Sequence, residues 1–165
     1  MTILIAGIGN IFQGDDAFGV EIAQRLLSAS LPPDVKVVDF GIRGIDLTYA
    51  LMDGHDVAIL VDAAARGEAP GTLSLVECDR PATTPLDAPI VSAHDLDPAK
   101  VMQLVQTLGG NCRRILLVAC EPGDCGGEEG HMGLTPPVAA AIEPAVEMIH
   151  TLLAELRQGE ARAAA

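Results

Sequence analysis

The stretch Thr2-Ile3-Leu4-Ile5-Ala6-Gly7-Ile8-Gly9-Asn10, closed by Gly14-Asp15-Asp16 and followed by Ala17 to Leu27, decides the fold. A short apolar run without polar alternation is the pattern of a strand buried on both faces, as in parallel sheets covered by helices. The glycines after it let the backbone turn sharply. From Ala17 onward apolar residues recur at helical spacing (Val20, Ala23, Leu26, Leu27), so strand, glycine-rich turn and helix make one unit.

The same alternation continues along the chain. Pro32-Pro33-Asp34 breaks it before the β-branched run Val35 to Phe40, and Gly44 leads into a helical pattern from Ile45 to Met52, with Gly54 a C-cap candidate. Val57 to Val61 is the most apolar strand and ends at Asp62, while Thr72 to Val76 alternates weakly, as an exposed edge strand does. Pro81, Pro85 and Pro89 keep the next stretch irregular, a helix is predicted over about Pro98 to Leu108, and Arg114 to Cys120 is a fifth strand. A long polar loop follows, then Thr135 as N-cap with Pro136 at the first helical position opens a last helix to about Leu156, which Pro144 should kink. These elements predict an α/β fold in one domain over 1–158, with 159–165 a disordered Ala-rich tail.

Composition agrees. Of 165 residues 49% are apolar, enough for a core, but with three Phe, one Tyr and no Trp that core must be built from Ala, Val, Ile and Leu. The formal net charge is −13 and Lys36 and Lys100 are the only lysines, a surface that repels phosphate backbones and anionic lipid, so neither nucleic acid nor membrane is an expected partner. Thr2 to Ile8 lacks a basic lead-in and a small-residue cleavage site, so it reads as a strand rather than a targeting segment, and a cytoplasmic location is expected. Cys78, Cys112, Cys120 and Cys125 are then expected as free thiols.

In an open α/β sheet, ligand-binding groups gather at the carboxyl ends of the strands, where the crossovers change direction. Asp15 and Asp16 follow the first strand, Asp39 closes the second, Asp62 closes the third, His94 precedes the helix before strand five, and Glu121 and Asp124 follow strand five. If strands one and three are neighbours, Asp16 and Asp62 converge, and one histidine completes a set suited to a borderline divalent ion such as nickel or zinc. Spacing alone does not make this a metal motif.

Each residue also has a plainer reading. Asp15 or Asp16 can cap the first helix, and since one cap suffices, Asp15 is assigned that role and Asp16 is left for chemistry. Asp62 can make a local bond into its loop, but a carboxylate at a buried strand end is costly unless paired or ligating. His94 alone reads as a hydrogen-bonded loop histidine, and His55 and His150 as structural residues. Cys120, Cys125 and His131 with Glu121, Asp124, Glu128 and Glu129 have the composition of a metal loop without its spacing, so a solvated acidic loop is the better reading.

A dinucleotide fingerprint is also weighed and set aside. Gly7-x-Gly9 with Gly14 puts the third glycine two positions late, and Asp15-Asp16 would place two charges where a pyrophosphate needs a helix N-terminus. No organic cofactor is expected.

Gly7-Ile8-Gly9-Asn10 with Asp15-Asp16 and Gly19, then Asp39-Phe40-Gly41-Ile42-Arg43-Gly44, Val61-Asp62-Ala63, Ser92-Ala93-His94 and Ala119-Cys120-Glu121-Pro122, in that order, resemble the [NiFe]-hydrogenase maturation protease family over nearly the whole chain. The resemblance implies a three-layer α/β/α sandwich, phosphorylase/hydrolase-like, on a five-stranded mixed sheet with one antiparallel strand near an edge. It implies an endopeptidase, aspartic-type by classification, that removes the C-terminal extension of a hydrogenase large-subunit precursor once nickel has been inserted. The nickel belongs to the substrate, and the residues that meet it fall on Asp16, Asp62 and His94, with Asp16 or Asp62 the general base. Asp39, Gly41, Glu121 and His131 are placed near the substrate, and the loop Glu128 to Gly133 is a further candidate contact. The alternatives are a nickel-sensing chaperone that does not cut, and a metallopeptidase carrying its own ion.

Overall fold

The computed structural model describes residues 1–78 and 112–163; His94 and the helix predicted near 98–108 lie outside these residues. Five strands, β1 (Ile3–Ile8), β2 (Val35–Gly41), β3 (Val57–Ala63), β4 (Leu73–Cys78) and β5 (Arg114–Cys120), form one sheet in the order β2-β1-β3-β5-β4. β1 pairs in parallel with both β2 and β3, β3 pairs in parallel with β5, and β4 runs antiparallel to β5 at the edge. The weakly alternating strand predicted from 72 is therefore the antiparallel edge strand, displaced by one residue at its start.

Strand alternation sorts the core into two layers. Ile3 and Ile5 of β1 join Val57, Ile59 and Val61 of β3 on one face, against Phe18, Ile22 and Leu26 of α1 (Phe18–Leu27) and Val138, Ile142 and Ile149 of α3 (Pro136–Ala163). Leu4, Ala6 and Ile8 join Ala58 and Leu60 on the other, against Leu47 and Leu51 of α2 (Gly44–Met52). Helices on both faces of a mixed five-stranded sheet make the three-layer α/β/α sandwich.

α1 sits so close to the sheet that Gly19 is required there. A Cβ at that position would lie 2.0 Å from the Val61 carbonyl oxygen and 2.3 Å from that of Ile8, and neither backbone atom can yield. This contact puts the start of α1 directly on the carboxyl ends of β1 and β3.

α3 corrects the expected end of the last helix, since it continues to Ala163 rather than fraying after Gln158. Alanine is the best helix former, and the far end is tethered: the Met1 ammonium meets Glu160 at 3.3 Å and Arg157 pairs with Asp34. By length and hydropathy this helix would pass for a membrane span, but Val138, Ala141, Ala145, Ile149 and Leu153 are buried against the sheet while Glu143 and Glu147 face solvent. Its apolar stripe is that of a core helix. The cysteines of the described residues, Cys78, Cys112, Cys120 and Cys125, form no disulfide.

Candidate active site at the crevice between β1 and β3

The chain leaves β1 to one side to form β2 and returns on the other side to form β3, so the direction of winding reverses between β1 and β3. The crevice outside the carboxyl ends of those two strands is where such sheets bind ligands. Asp16 enters it from a 3-10 turn, Gly14–Ala17, that precedes α1, and Asp62 enters it from β3. Asp62 is not beyond its strand as expected, because β3 continues to Ala63 and Asp62 pairs with Ala119 of β5. A carboxylate within a strand has less freedom than one in a loop, and its direction is set by the pleat.

The two acids are electrostatically joined. Burial, and then the charge on Asp16, push the Asp62 carboxyl up to about 8, against a smaller opposing hydrogen bond from the Ala63 N–H. At neutral pH Asp62 therefore holds a proton. A buried carboxyl that resists ionisation beside a second acid is an arrangement that can supply a proton donor and an acceptor at one site.

The Gly-x-Gly-Asn segment holds Asp16 in place. The Asn10 N–H donates to Asp16 Oδ2 at 2.8 Å, and Asn10 Oδ1 accepts from the Phe12 N–H at 3.0 Å, an Asx turn that shapes the loop. Gly9, at φ +144°, lies so close to the turn that a Cβ there would be 1.8 Å from the Asp16 carbonyl oxygen. The second glycine of the signature thus exists for close approach as well as for turning.

Asp15 does not cap its helix, contrary to the sequence expectation. No side chain caps the 3-10 turn or α1. Asp15 is fully buried and accepts four hydrogen bonds from across the sheet: from the N–H groups of Gly123 (2.7 Å), Asp124 (2.9 Å) and Thr135 (2.6 Å), and from the Thr135 hydroxyl (2.8 Å). Burial opposes its ionisation, but these donors outweigh it and hold the carboxyl below its ordinary 3.8. Its own N–H donates to the Asp124 carbonyl at 2.8 Å, and the Gly14 N–H to that of His131, also at 2.8 Å. The acidic loop 121–135 is thereby stitched to the residue next to Asp16.

Thr135 stands at the N-cap of α3, its carbonyl accepting from the Ala139 N–H at 2.8 Å, while its hydroxyl serves Asp15. The stitching also brings Cys125 to the site, a placement that sequence reading missed. Desolvation followed by the charges of Asp16, Asp15 and Asp124 raises its thiol above the ordinary value, while the Asp16 N–H donates to the Gln13 carbonyl at 3.1 Å. Cys120 goes elsewhere, buried in β5 and pushed up to about 11 by burial and then by Asp15 and Glu121. The sequence already placed Cys120 at the end of a strand and Cys125 in the loop; what it lacked is the docking of that loop on Asp15, which brings Cys125 to the site.

The other candidates scatter around this centre. His131 is exposed, and its imidazole fills the space a side chain at Gly14 would need. Gly41 lies beside the turn, its carbonyl accepting from the Gly9 N–H at 3.0 Å. Asp39 pairs with Gly7 in the sheet register and accepts from Gln24 Nε2 of α1 at 2.9 Å. Glu121 faces the β3–β4 connection: it is buried, its Oε2 accepts from the Arg66 N–H at 2.6 Å, and its backbone bonds Gly71 and Thr72. That is a clamp on the 64–72 segment. Among the described residues, no three Asp, Glu, His or Cys side chains stand in metal-holding geometry.

Comparison with known proteins agrees with this reading of the fold. The HycI profile, described as hydrogenase maturation protease, matches residues 20–152. The chain is 36% identical over 160 residues to the hydrogenase 2 maturation protease of Escherichia coli, covering 96% of this chain and 92% of that one. The structure of the hydrogenase maturating endopeptidase HybD from E. coli superposes with a TM-score of 0.76 at 35% identity, over 96% of this chain and 94% of that one. The [NiFe] hydrogenase maturation protease HycI from Thermococcus kodakarensis does so with a TM-score of 0.65 at 28% identity, over 92% of each chain. Matched along nearly its whole length in sequence and in fold, this chain belongs to the hydrogenase maturation protease family.

Proposed function

We propose that this protein is an aspartic-type endopeptidase of the cytoplasm that removes the C-terminal extension of a [NiFe]-hydrogenase large-subunit precursor after nickel insertion. The observation that carries the reading is the convergence of Asp16 and Asp62 at the β1/β3 crevice, with Asp62 pushed up to about 8. A carboxyl that resists ionisation is a sensor for positive charge. Without metal, Asp62 keeps its proton and offers no anionic ligand. A nickel ion held by the substrate displaces that proton and gains a second carboxylate beside Asp16, so the metal's share of the binding energy appears only when the precursor is loaded. His94 takes the third ligand position on the strength of the family resemblance.

The ion then places the scissile bond beside the two acids. One carboxylate takes a proton from the water that attacks the carbonyl carbon, and passes it to the leaving amide nitrogen as the C–N bond breaks. Nickel serves as a positive centre within the substrate, and the protein needs no ion or organic cofactor of its own.

Incubating the protein with precursor, with and without nickel, and following the precursor by mass spectrometry tests the reading. Loss of a C-terminal peptide only with nickel is expected, and the Asp16→Asn and Asp62→Asn variants should each lose at least about a hundredfold in rate. Binding without mass loss would make the protein a nickel-sensing chaperone. A stoichiometric ion in the purified protein would make it a metallopeptidase of its own.

A further inference from the structure

Among the described residues, six large apolar side chains stand exposed on the segments around the crevice, in two groups. Ile11, Phe12 and Met132 make the first, with Phe12 60% and Met132 67% exposed. Gln13 bridges to His131, and the Phe12 carbonyl packs on Gly130, 2.5 Å from where a Cβ would sit, so the two loops present these side chains as one surface. Ile42, Ile45 and Tyr49 make the second, at the start of α2, where Ile45 and Tyr49 share a face one turn apart and are 68% and 62% exposed. The hydrogen bond from the Gly9 N–H to the Gly41 carbonyl ties the segment that leads into the second group to the turn that holds Asp16 and leads into the first.

Large apolar side chains gathered beside a candidate active site mark a contact surface rather than scattered exposure. Exposed acids border the first group, Asp124, Glu128 and Glu129 on the loop; beside the second, Asp46 of α2 is paired with Arg43 at 3.3 Å. We propose that these two groups form the docking surface for the large-subunit precursor, which must present an apolar centre with a basic rim. This rests on the preceding reading of the substrate and adds where, and by what chemistry, the body of that substrate is held. Charge decides between a foreign partner and a second copy of this chain. At −13 per chain, two copies would bring like-charged rims together, whereas a basic rim is steered in and paired.

The test uses two double variants, Phe12→Ser with Met132→Ser and Ile45→Ser with Tyr49→Ser, none of which touches the acids. Dissociation constants are measured by titration calorimetry against nickel-free precursor, and KM and kcat against nickel-loaded precursor. Urea midpoints within error of wild type are expected, since the side chains are exposed. Each variant should weaken binding at least about tenfold and raise KM with kcat changed less than about twofold. Binding of the wild type should also weaken as salt is raised, because the rim is ionic. Unchanged dissociation constants, or no wild-type binding to either precursor, overturn the docking surface. So does wild-type self-association, by analytical ultracentrifugation, that the variants abolish. Binding of the loaded precursor that the variants weaken, without cleavage by wild type, overturns the protease reading and leaves the docking surface standing.

Discussion

Replacing Asp62 with asparagine should make the protein more stable in alkaline solution while removing its activity. The carboxyl is raised from its ordinary 3.8 to about 8, so between those values the folded state keeps a proton that the unfolded chain has released. Stability then falls as pH rises through that window, and above pH 8 the full cost of an ionised Asp62 is present. At 1.36 kcal/mol per pH unit the limit is about 5–6 kcal/mol; local relaxation and water entry would leave about 2–4 kcal/mol in practice. Asparagine does not titrate, and its Oδ1 can still accept from the Ala63 N–H. The variant should therefore match wild type near pH 4–5 and exceed it by about 2–4 kcal/mol at pH 9, or roughly 4–16 °C in Tm for a domain of this size. Urea titrations of both proteins at pH 5, 6, 7, 8 and 9 read this directly. The other carboxyls titrate in both proteins and cancel in the difference. A difference that does not change with pH would refute the claim that the fold holds Asp62 protonated, and with it the account of metal sensing.

Asp15→Asn should cost about 3–5 kcal/mol, because an amide nitrogen would face N–H donors that the buried carboxylate now satisfies; hydrogen exchange should show protection lost over 123–135. With Asp15 held below 3.8, its contribution is present above that pH and lost on acidification through the depressed value, so the acid unfolding curve of the variant should lack that part of the slope. Gly19→Val should destabilise by at least about 3 kcal/mol, since the added carbon meets two backbone carbonyls; a urea midpoint near that of wild type would show that α1 can lift from the sheet. Phe18→Ala, which empties a fully buried position in the layer under α1 and α3, should cost about 3–5 kcal/mol by the same measurement.

The strands could be read in the sequence because parallel strands buried on both faces must be nearly all apolar, and β1, β3 and β5 are. The edge strand could be read because exposure of one side leaves alternation in Leu73–Cys78. Asp16 and Asp62 were legible from the rule that strand carboxyl ends collect function. Their adjacency was conditional until β1 and β3 proved to be neighbours.

What the sequence by itself determined is a strand, turn and helix unit of α/β type, an apolar core without large aromatics, and the pair of acids placed at strand ends. These follow from local periodicity and chain direction. What only the tertiary structure decided is what the neighbours of those acids do. Asp15 reads locally as a cap, yet its donors come from residues 108 to 120 positions away. Cys125 meets Asp16 only because the loop docks there, and Asp62 rises to about 8 only because burial and Asp16 act on it together. Hydrogen bonds and charge act through space, and sequence separation carries no information about distances that folding has closed.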